Sequence, residues 1–306
     1  MVKIYLKKCV EGLYVLLNKR TGTLSDWWEL FRPFAYSASV IPLLMVAVML
    51  PEEVMSNLIH YLLLFTGVLA VHTGSNIINE YYDMQNGIDN LQSDTASTVL
   101  LEARIDLGIA LFFSKTLCLL FLISSLIYSV YFTRPGIFLY GLLGVLGGYY
   151  YTAPPLHFKY RGLSTVTVFV LFGILLPQAV YYTFSGQMVL SIVFLPHAFL
   201  VTAIVFANNL GDRLRYTGRG DRIRGAIIYL FLLIAGFMSA IIALITGAVS
   251  LSPISFFLFF TAVLAGWNIC QAFAGIKAKN KLYSLDKNTA ALHLIFGLGW
   301  IINIII

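Results

Sequence analysis

The chain has 306 residues, of which 59% are hydrophobic and 11% are charged, and its mean hydropathy is +0.85. Soluble domains average about 25% charged residues, so this composition indicates a membrane protein and excludes an ordinary soluble domain. The formal net charge is +6, but the basic residues form no stripe on a soluble fold, so nucleic acid is not a predicted partner.

The N-terminal part of the chain differs from the rest. Residues 1–31 mix lysines and one arginine with Leu, Val, Tyr and the pair Trp27–Trp28. This mixture is typical of amphipathic helices that lie in the membrane interface. We therefore predict an interfacial segment at residues 1–31 and a transmembrane domain at residues 32–306. No short apolar core with a small-residue cleavage site occurs near the start, so a cleaved signal peptide is not expected.

Beyond Arg32 the chain is a succession of long apolar stretches. Nine of them have the roughly 17–25 residues that a helix needs to cross a bilayer. They predict an all-α, polytopic membrane fold with nine transmembrane helices, at residues 34–50, 55–80, 105–129, 135–153, 163–184, 189–210, 224–247, 253–275 and 288–306.

The positions of the basic residues predict an orientation. With the N-terminus inside, every Lys and Arg except Lys115 and Arg134 falls in the N-terminal segment or in an inside loop. Cytoplasmic segments carry an excess of Lys and Arg. We therefore predict a cytoplasmic N-terminus.

The second predicted span ends in a polar stretch that begins at His72, HTGSNIINEYYDMQNGID. Asn76, Asn79 and Asp83 lie at i, i+3 and i+7, which places them on one helix face. Such a face of amide and carboxylate oxygens suits Mg²⁺. A glycine after the helix permits a turn that would bring Asp89 back toward Asp83. His72 extends the same face by one turn, either as a polar contact in the site or as a core histidine.

The segment YYTAPPLHFKYRGL follows the fourth predicted span on the same side, and its paired prolines make it extended and rigid. Tyr150 and Tyr151 either stabilise a cation, since aromatic faces attract positive charge, or belong to an interfacial aromatic belt. Lys159 and Arg161 are candidate phosphate donors.

The sixth predicted span ends in a second polar stretch, NNLGDRLRYTGRGDR. Asn208 and Asp212 are one helical turn apart and can share a metal ion. The arginines that follow either set topology and contact lipid headgroups or clamp phosphate oxygens. These arginines are Arg213, Arg215, Arg219, Arg222 and Arg224. Both polar stretches end spans on one side, so we predict a single Mg²⁺ site built from both.

Four stretches, RPFAYSASVIPLL, NIINEYYDMQNGID, YYTAPPLHFKYRGL and NNLGDRLRYTGRGDR, occur in this order along the chain. Together they resemble the UbiA superfamily of intramembrane prenyltransferases, most closely its dihydroxynaphthoate (menaquinone) branch. The resemblance implies nine helices around a central cavity, in which two aspartate-containing motifs hold Mg²⁺ and a prenyl diphosphate. The first motif corresponds to Asn76, Asn79, Asp83 and Asp89, and the second to Asn208, Asn209 and Asp212.

The resemblance implies Mg²⁺-dependent transfer of an isoprenyl chain from a prenyl diphosphate to a lipophilic or aromatic acceptor. A dihydroxynaphthoate-like acceptor is expected, and a glycerol-phosphate acceptor in ether-lipid synthesis is the alternative. Intramembrane carboxylates also occur in transporters. A transporter, or a prenyl diphosphate-binding protein without turnover, is therefore the alternative of another class. The expected location is the plasma membrane of a prokaryote, in contact with its lipid, with the site facing the cytoplasm.

These considerations assign three groups of site residues. The predicted catalytic residues are Asn79, Asp83, Tyr151, Asn208 and Asp212. The predicted metal ligands are Asn79, Asp83, Asp89, Asn208 and Asp212. The predicted substrate-binding residues are His72, Asn76, Tyr150, Lys159, Arg161, Asn209, Arg215, Arg219 and Arg222.

Overall fold

The computed structural model describes residues 20–88, 97–213, 219–277 and 284–306, without the side chains of 211–213 and 219. The fold there is all-α, as predicted, and a single antiparallel bridge between Thr21 and Ile105 is its one β pairing. The helices are α1 (Leu24–Phe31), α2 (Ser37–Met49), α3 (Pro51–Ser56), α4 (Leu58–Gln85), α5 (Leu107–Tyr131), α6 (Gly136–Tyr150), α7 (Ser164–Ser185), α8 (Leu195–Arg213), α9 (Arg219–Ile245), α10 (Phe257–Ala274) and α11 (Leu285–Ile305). Short 3₁₀ turns at Pro33–Tyr36, Ile192–Phe194 and Pro253–Phe256 precede α2, α8 and α10.

The number of predicted spans is not confirmed. Among the described residues, 7 helices are long and apolar enough to cross a membrane, or 8 if the bent pair of α1 and Pro33–Met49 is one span. Helix α6 has 15 residues and covers about 22 Å at 1.5 Å per residue, which is less than the ~30 Å hydrocarbon core. The first predicted span, 34–50, is covered by the turn Pro33–Tyr36 and α2, which are long enough to count as a spanning helix only together with the bent α1. The chain is nonetheless an integral membrane protein with several spanning helices.

Helix α4 continues beyond its predicted span. It was expected to end near residue 80 but runs to Gln85. It terminates where Gly87 adopts a left-handed conformation with φ of 67°, which glycine reaches without steric cost. The polar residues after residue 76 therefore stay on a regular helix, and their spacing keeps them on one side of it.

The helices form a ring. Neighbours in sequence pack side by side, namely α4 with α5, α5 with α6, α8 with α9, α9 with α10 and α10 with α11. Helix α2 contacts α4, α7 and α11, and α8 contacts α7 and α11. Large apolar side chains such as Phe112, Phe231 and Phe259 are exposed on the outer faces, where lipid would surround them. The space between α2, α4, α5, α6, α7 and α8 remains open as a cavity.

A π-helical segment, Phe169–Leu175, interrupts α7 beside this cavity. His197 Nε2 lies 3.1 Å from the Phe172 carbonyl oxygen, and His197 Nδ1 lies 2.8 Å from His293 Nε2. His293 Nδ1 in turn lies 3.2 Å from the Ser37 hydroxyl. Because a carbonyl only accepts, a neutral His197 donates from Nε2 and accepts from His293. The chain of hydrogen bonds ties α2, α8 and α11 to the π-helical segment.

Helix α1 is attached to the loop between α4 and α5. Arg104 in that loop donates to Asp26 and, at 2.8 Å, to Glu29. The hydrogen bond with Glu29 raises the pKa of Arg104 further above its ordinary value, so the guanidinium stays charged. Helix α1 also contacts α4. It therefore lies against the same end of the bundle that carries the polar residues of α4.

Candidate active site

The cavity has a volume of about 1690 Å³, including the space at its mouth. Along α4 its wall runs from Leu64 to Asn79, a distance of about 22 Å at the helical rise. One end is polar and the remaining wall is mostly apolar. The polar end is lined by Arg32, Asn76, Asn79, Tyr151, Lys159, Asn208 and Asp286. This shape suits an amphiphile with a charged head and a long apolar tail.

Four polar residues of α4 lie on the cavity wall, namely His72, Ser75, Asn76 and Asn79. His72 Nδ1 is 2.8 Å from the Ser39 hydroxyl, and Asn76 Nδ2 donates to the Phe31 carbonyl at 3.0 Å. The Asn79 Oδ1 atom is buried without a hydrogen-bond partner in the described part of the chain. A buried polar atom left unpaired costs about 1–3 kcal/mol. Asn79 is therefore the residue of this face that most needs a ligand.

Asp83 lies one turn beyond Asn79 and is paired with the loop after α6. Lys159 Nζ is 2.7 Å from Asp83 Oδ2, and the Tyr160 hydroxyl donates to Asp83 Oδ1 at 2.9 Å. Asp83 is 3% exposed and Lys159 is 8% exposed. Two such buried charges are tolerated because each neutralises the other. The backbone N–H of Lys159 donates to the Tyr151 carbonyl at 2.8 Å, which holds the loop against the end of α6.

Tyr151 and Asn209 form a second polar group at this end. The Tyr151 side chain lines the cavity and is hydrogen-bonded to Asn209. Asn209 Nδ2 donates to the Ser164 hydroxyl at 2.9 Å, at the first residue of α7. Asn209 is not part of the cavity wall, whereas its neighbour Asn208 is. Asn209 thus connects α8 to α7 and orients Tyr151.

Besides Asn209, three predicted substrate-binding residues do not line the cavity. Tyr150 packs edge-on against Tyr149, with ring centroids 5.3 Å apart. Arg161 is exposed and donates to the Pro155 carbonyl at 3.0 Å. Arg222 is half-buried in the first turn of α9, away from the cavity wall. The apo geometry therefore brings none of the three to the cavity.

Four other predicted residues cannot be located in full. Asp89 and Arg215 lie outside the described residues. Asp212 and Arg219 lie in α8 and α9, but their side chains lie outside the description.

Three residues at this end were missed by the sequence reasoning. Arg32 and Asp286 line the cavity, and Tyr160 binds Asp83. Arg32 is the last basic residue before the first span, Tyr160 is adjacent to Lys159, and Asp286 lies in the first turn of α11. No local pattern distinguishes them, because only the tertiary fold brings them to the polar end.

The donor set at the polar end fits Mg²⁺. In the part of the chain that the structure describes, no group of three or more His, Cys, Asp and Glu side chains could hold a metal ion. However, Mg²⁺ usually takes one or two carboxylates and completes its shell with water and substrate phosphates. Asp83, one turn from Asn79, is not part of the cavity wall and is held by Lys159 and Tyr160, but it supplies a carboxylate beside that wall. Asn79 Oδ1 is a buried oxygen without a partner in the described part of the chain. Together with phosphate oxygens of a ligand, these atoms match that preference.

Comparison with known proteins identifies the family. Residues 39–287 match the model of the UbiA prenyltransferase family. The 1,4-dihydroxy-2-naphthoate octaprenyltransferase of Bacillus subtilis (strain 168) is 28% identical over 198 residues, which are 60% of this chain and 60% of that enzyme. UbiA prenyltransferase domain-containing protein 1 of Mus musculus is 28% identical over 301 residues, 90% of this chain and 82% of that protein.

The fold has a solved counterpart. A structure of digeranylgeranylglyceryl phosphate synthase superposes with a TM-score of 0.58 at 18% identity, covering 92% of this chain and 98% of that one. At that identity the similarity concerns the fold alone. The family match extends over most of the chain, and the resemblance found in the four sequence stretches is confirmed: the chain belongs to the UbiA prenyltransferase family.

Proposed function

We propose that this protein transfers an isoprenyl chain from a prenyl diphosphate to a lipophilic or aromatic acceptor in a Mg²⁺-dependent reaction. The observation that carries the proposal is the cavity, whose polar end holds Asn79, Lys159 and Arg32 and whose remaining wall is mostly apolar. A diphosphate bound at the polar end would leave its hydrocarbon tail in the apolar part.

The polar residues have complementary roles in this proposal. Lys159 and Arg32 bind the diphosphate oxygens with their positive charges. Asn79 and Asp83 hold Mg²⁺ together with Asn208, and Asp89 and Asp212 are proposed as further ligands. When bound, Mg²⁺ would neutralise the negative charge of the departing diphosphate. His72 and Asn76 line the wall beside this group, while Asn209 orients Tyr151.

The apolar wall protects the reacting carbon. Loss of diphosphate leaves positive charge on an allylic carbon, which water would capture. Tyr151 is an aromatic side chain at the polar end, and an aromatic face attracts such a charge. The mostly apolar lining keeps water away from it. We therefore assign Tyr151 to stabilisation of the allylic cation. We also propose Arg215, Arg219 and Arg222 as phosphate contacts at the second motif.

For the acceptor we propose a dihydroxynaphthoate-like aromatic compound, as in quinone biosynthesis. The Bacillus subtilis relative supports this choice by its name. The chain spans 60% of that enzyme's length, so its activity as a whole is part of the proposal. A glycerol-phosphate acceptor, of the kind named for the solved digeranylgeranylglyceryl phosphate synthase, is the second candidate, although the likeness to that structure concerns the fold alone.

We further propose the setting of this reaction. The proposed interfacial segment is residues 1–31, of which 1–19 lie outside the described residues, and the proposed catalytic transmembrane unit is residues 32–306. The protein lies in the plasma membrane of a prokaryote with its N-terminus and the polar end of the cavity at the cytoplasmic side. The distribution of Lys and Arg along the chain supports this orientation.

An assay of the purified protein in detergent tests the proposal. Farnesyl or geranylgeranyl diphosphate is supplied with Mg²⁺ and either 1,4-dihydroxy-2-naphthoate or geranylgeranylglyceryl phosphate. We expect prenylated naphthoate, and we expect Asp83→Asn to lower the rate at least ~100-fold, as loss of a group that stabilises transition-state charge does. Glu53→Gln, which alters an exposed carboxylate on α3, is the control and should retain the activity.

The other outcomes are equally informative. Product only with the glycerol phosphate would select the second acceptor. Donor binding without product from either acceptor would instead indicate a binding protein. Full activity of Asp83→Asn would contradict the site assigned here.

A further inference from the structure

Helix α6 contains four glycines after its first residue, Gly136, and three of these four permit close helix packing. A Cβ atom on Gly141 would lie 2.7 Å from Ser125 of α5. A Cβ on Gly147 would lie 2.5 Å from Leu171 of α7, and a Cβ on Gly148 would collide with the Ser75 hydroxyl of α4. At each of these three positions a side chain on a neighbouring helix leaves no room for a Cβ atom, which explains why glycine is found there.

Gly144 is different. A Cβ atom built on Gly144 meets no atom of the described chain within 4 Å. Gly144 nevertheless lines the cavity, together with Tyr140, Gly141 and Gly148 of the same helix. The three glycines follow Tyr140 by one, four and eight residues, so the four residues form a single helix face. Packing against neighbouring helices therefore does not require glycine at position 144, and the space beside it belongs to the cavity.

The depth of Gly144 places it in the apolar part of the cavity. Helix α6 ends next to Tyr151, which lies at the polar end, and Gly144 precedes Tyr151 by seven residues. At the helical rise this is about 10 Å. Val68 and Val71 of α4 and Leu171 and Leu175 of α7 also line the cavity. A chain attached to a diphosphate at the polar end would pass Gly144 after its first isoprene units.

We infer that Gly144 is a specificity-determining residue, which keeps the cavity wide enough for the distal part of a long isoprenyl chain. The inference rests on the proposed function and deepens it, since it states that the cavity selects donors by the length of their isoprenyl chain. A side chain at position 144 would fill the space that long donors need. Short donors, whose tails end before this depth, would still fit.

The experiment compares Gly144→Leu with Gly266→Leu. Gly266 of α10 also has open space beside its Cβ position, but it does not line the cavity. Transfer and equilibrium binding are measured for geranyl, farnesyl, geranylgeranyl and a longer polyprenyl diphosphate. For Gly144→Leu we expect the transfer rate and the affinity for the longest donor, each divided by the value for the shortest donor, to fall at least ~10-fold. This is the scale of selectivity that small volume changes in apolar pockets produce. Gly266→Leu should keep the wild-type ratio.

The readouts separate this inference from the proposed function. If the wild type binds the donors but transfers none, the proposed function fails and the binding ratios still test Gly144. If Gly144→Leu leaves the ratios unchanged, or weakens all donors equally, the inference is overturned. Gly144→Ala adds a single methyl group and serves if Gly144→Leu does not fold. It should shift the ratio in the same direction by a smaller factor, and an unchanged ratio would count against the inference.

Discussion

The ion pair between Lys159 and Asp83 joins two residues that are 76 positions apart in the chain. Both are buried, and the Tyr160 hydroxyl adds a second donor to the same carboxylate. In the proposed reaction, Asp83 serves the metal and Lys159 serves the diphosphate. The ion pair therefore keeps both charged groups beside the cavity and holds the loop after α6 against α4.

Removing the cation of this pair should destabilise the protein. Lys159→Met leaves the Asp83 carboxylate buried without its counter-charge, and breaking such a pair from one side costs about 3–5 kcal/mol. Thermal unfolding in detergent measures the loss. Lys115→Met, at an exposed position on α5, should change the unfolding temperature little.

The double variant Asp83→Asn with Lys159→Met checks the cause. It removes both charges, so it should be more stable than Lys159→Met alone, because the two effects couple. Equal stability of the double variant and Lys159→Met would show that the buried carboxylate is not the source of the loss.

At the residue level, the sequence predicted what local spacing encodes. The intervals between Asn76, Asn79 and Asp83 indicated one face of a helix, and Asn76 and Asn79 do lie on the cavity wall. The partner of Asp83 and the presence of Asp286 at the polar end could not be predicted in this way. Those contacts depend on how distant helices pack, which no pattern within one element reports.

At the level of elements, hydropathy located the helices better than their ends. Helix α4 extends to Gln85 because its polar turns continue as helix beyond the apolar stretch. Helix α6 stops at Tyr150, ahead of the paired prolines at 154 and 155 that cannot continue a helix. The π-helical segment of α7 was not predicted either, since its apolar sequence resembles that of an ordinary span.

His197 connects the π-helical segment to His293 of α11 by hydrogen bonds. His197→Ala removes the donor to the Phe172 carbonyl and the acceptor for His293, leaving two buried polar groups unpaired at about 1–3 kcal/mol each. We expect lower thermal stability and a raised donor KM, because Phe172 lines the cavity. His60→Ala serves as the control. His60 stacks on Tyr131, with ring centroids 4.4 Å apart, and it lies far from the polar end of the cavity.

A donor KM unaffected by His197→Ala, at reduced thermal stability, would limit the role of His197 to general stability. Equal effects of His60→Ala and His197→Ala on the donor KM would contradict the link between the π-helical segment and the cavity.

For the whole molecule, composition and the four sequence stretches predicted an all-helical membrane fold of the UbiA type, and the fold and family are confirmed. The count of nine spans is not confirmed among the described residues. It rested on the lengths of the apolar stretches and on the distribution of Lys and Arg, while Gly136–Tyr150 has 15 residues and Pro33–Met49 is bent against α1. A short helix can pack inside a bundle without covering the full bilayer, which a hydropathy threshold does not register.

The orientation of the bundle can be tested by cysteine labelling. With the native Cys9, Cys118 and Cys270 replaced, single cysteines are introduced as Leu156→Cys and Gln187→Cys, both at exposed positions. Leu156 lies in the loop that carries Lys159, whereas Gln187 follows the opposite end of α7. We expect a membrane-impermeant maleimide to label Gln187→Cys in intact cells and Leu156→Cys only after permeabilisation. The reverse pattern would invert the predicted topology.

The assignment of the polar end of the cavity to a metal-bound diphosphate is tested most directly by calorimetric titration of farnesyl diphosphate into the purified protein. We predict measurable binding by the wild type in Mg²⁺, and at least ~10-fold weaker binding in EDTA or in Asp83→Asn, since each removes a charge-assisted contact. Equal affinity of the wild type and Asp83→Asn, with and without Mg²⁺, would contradict the account.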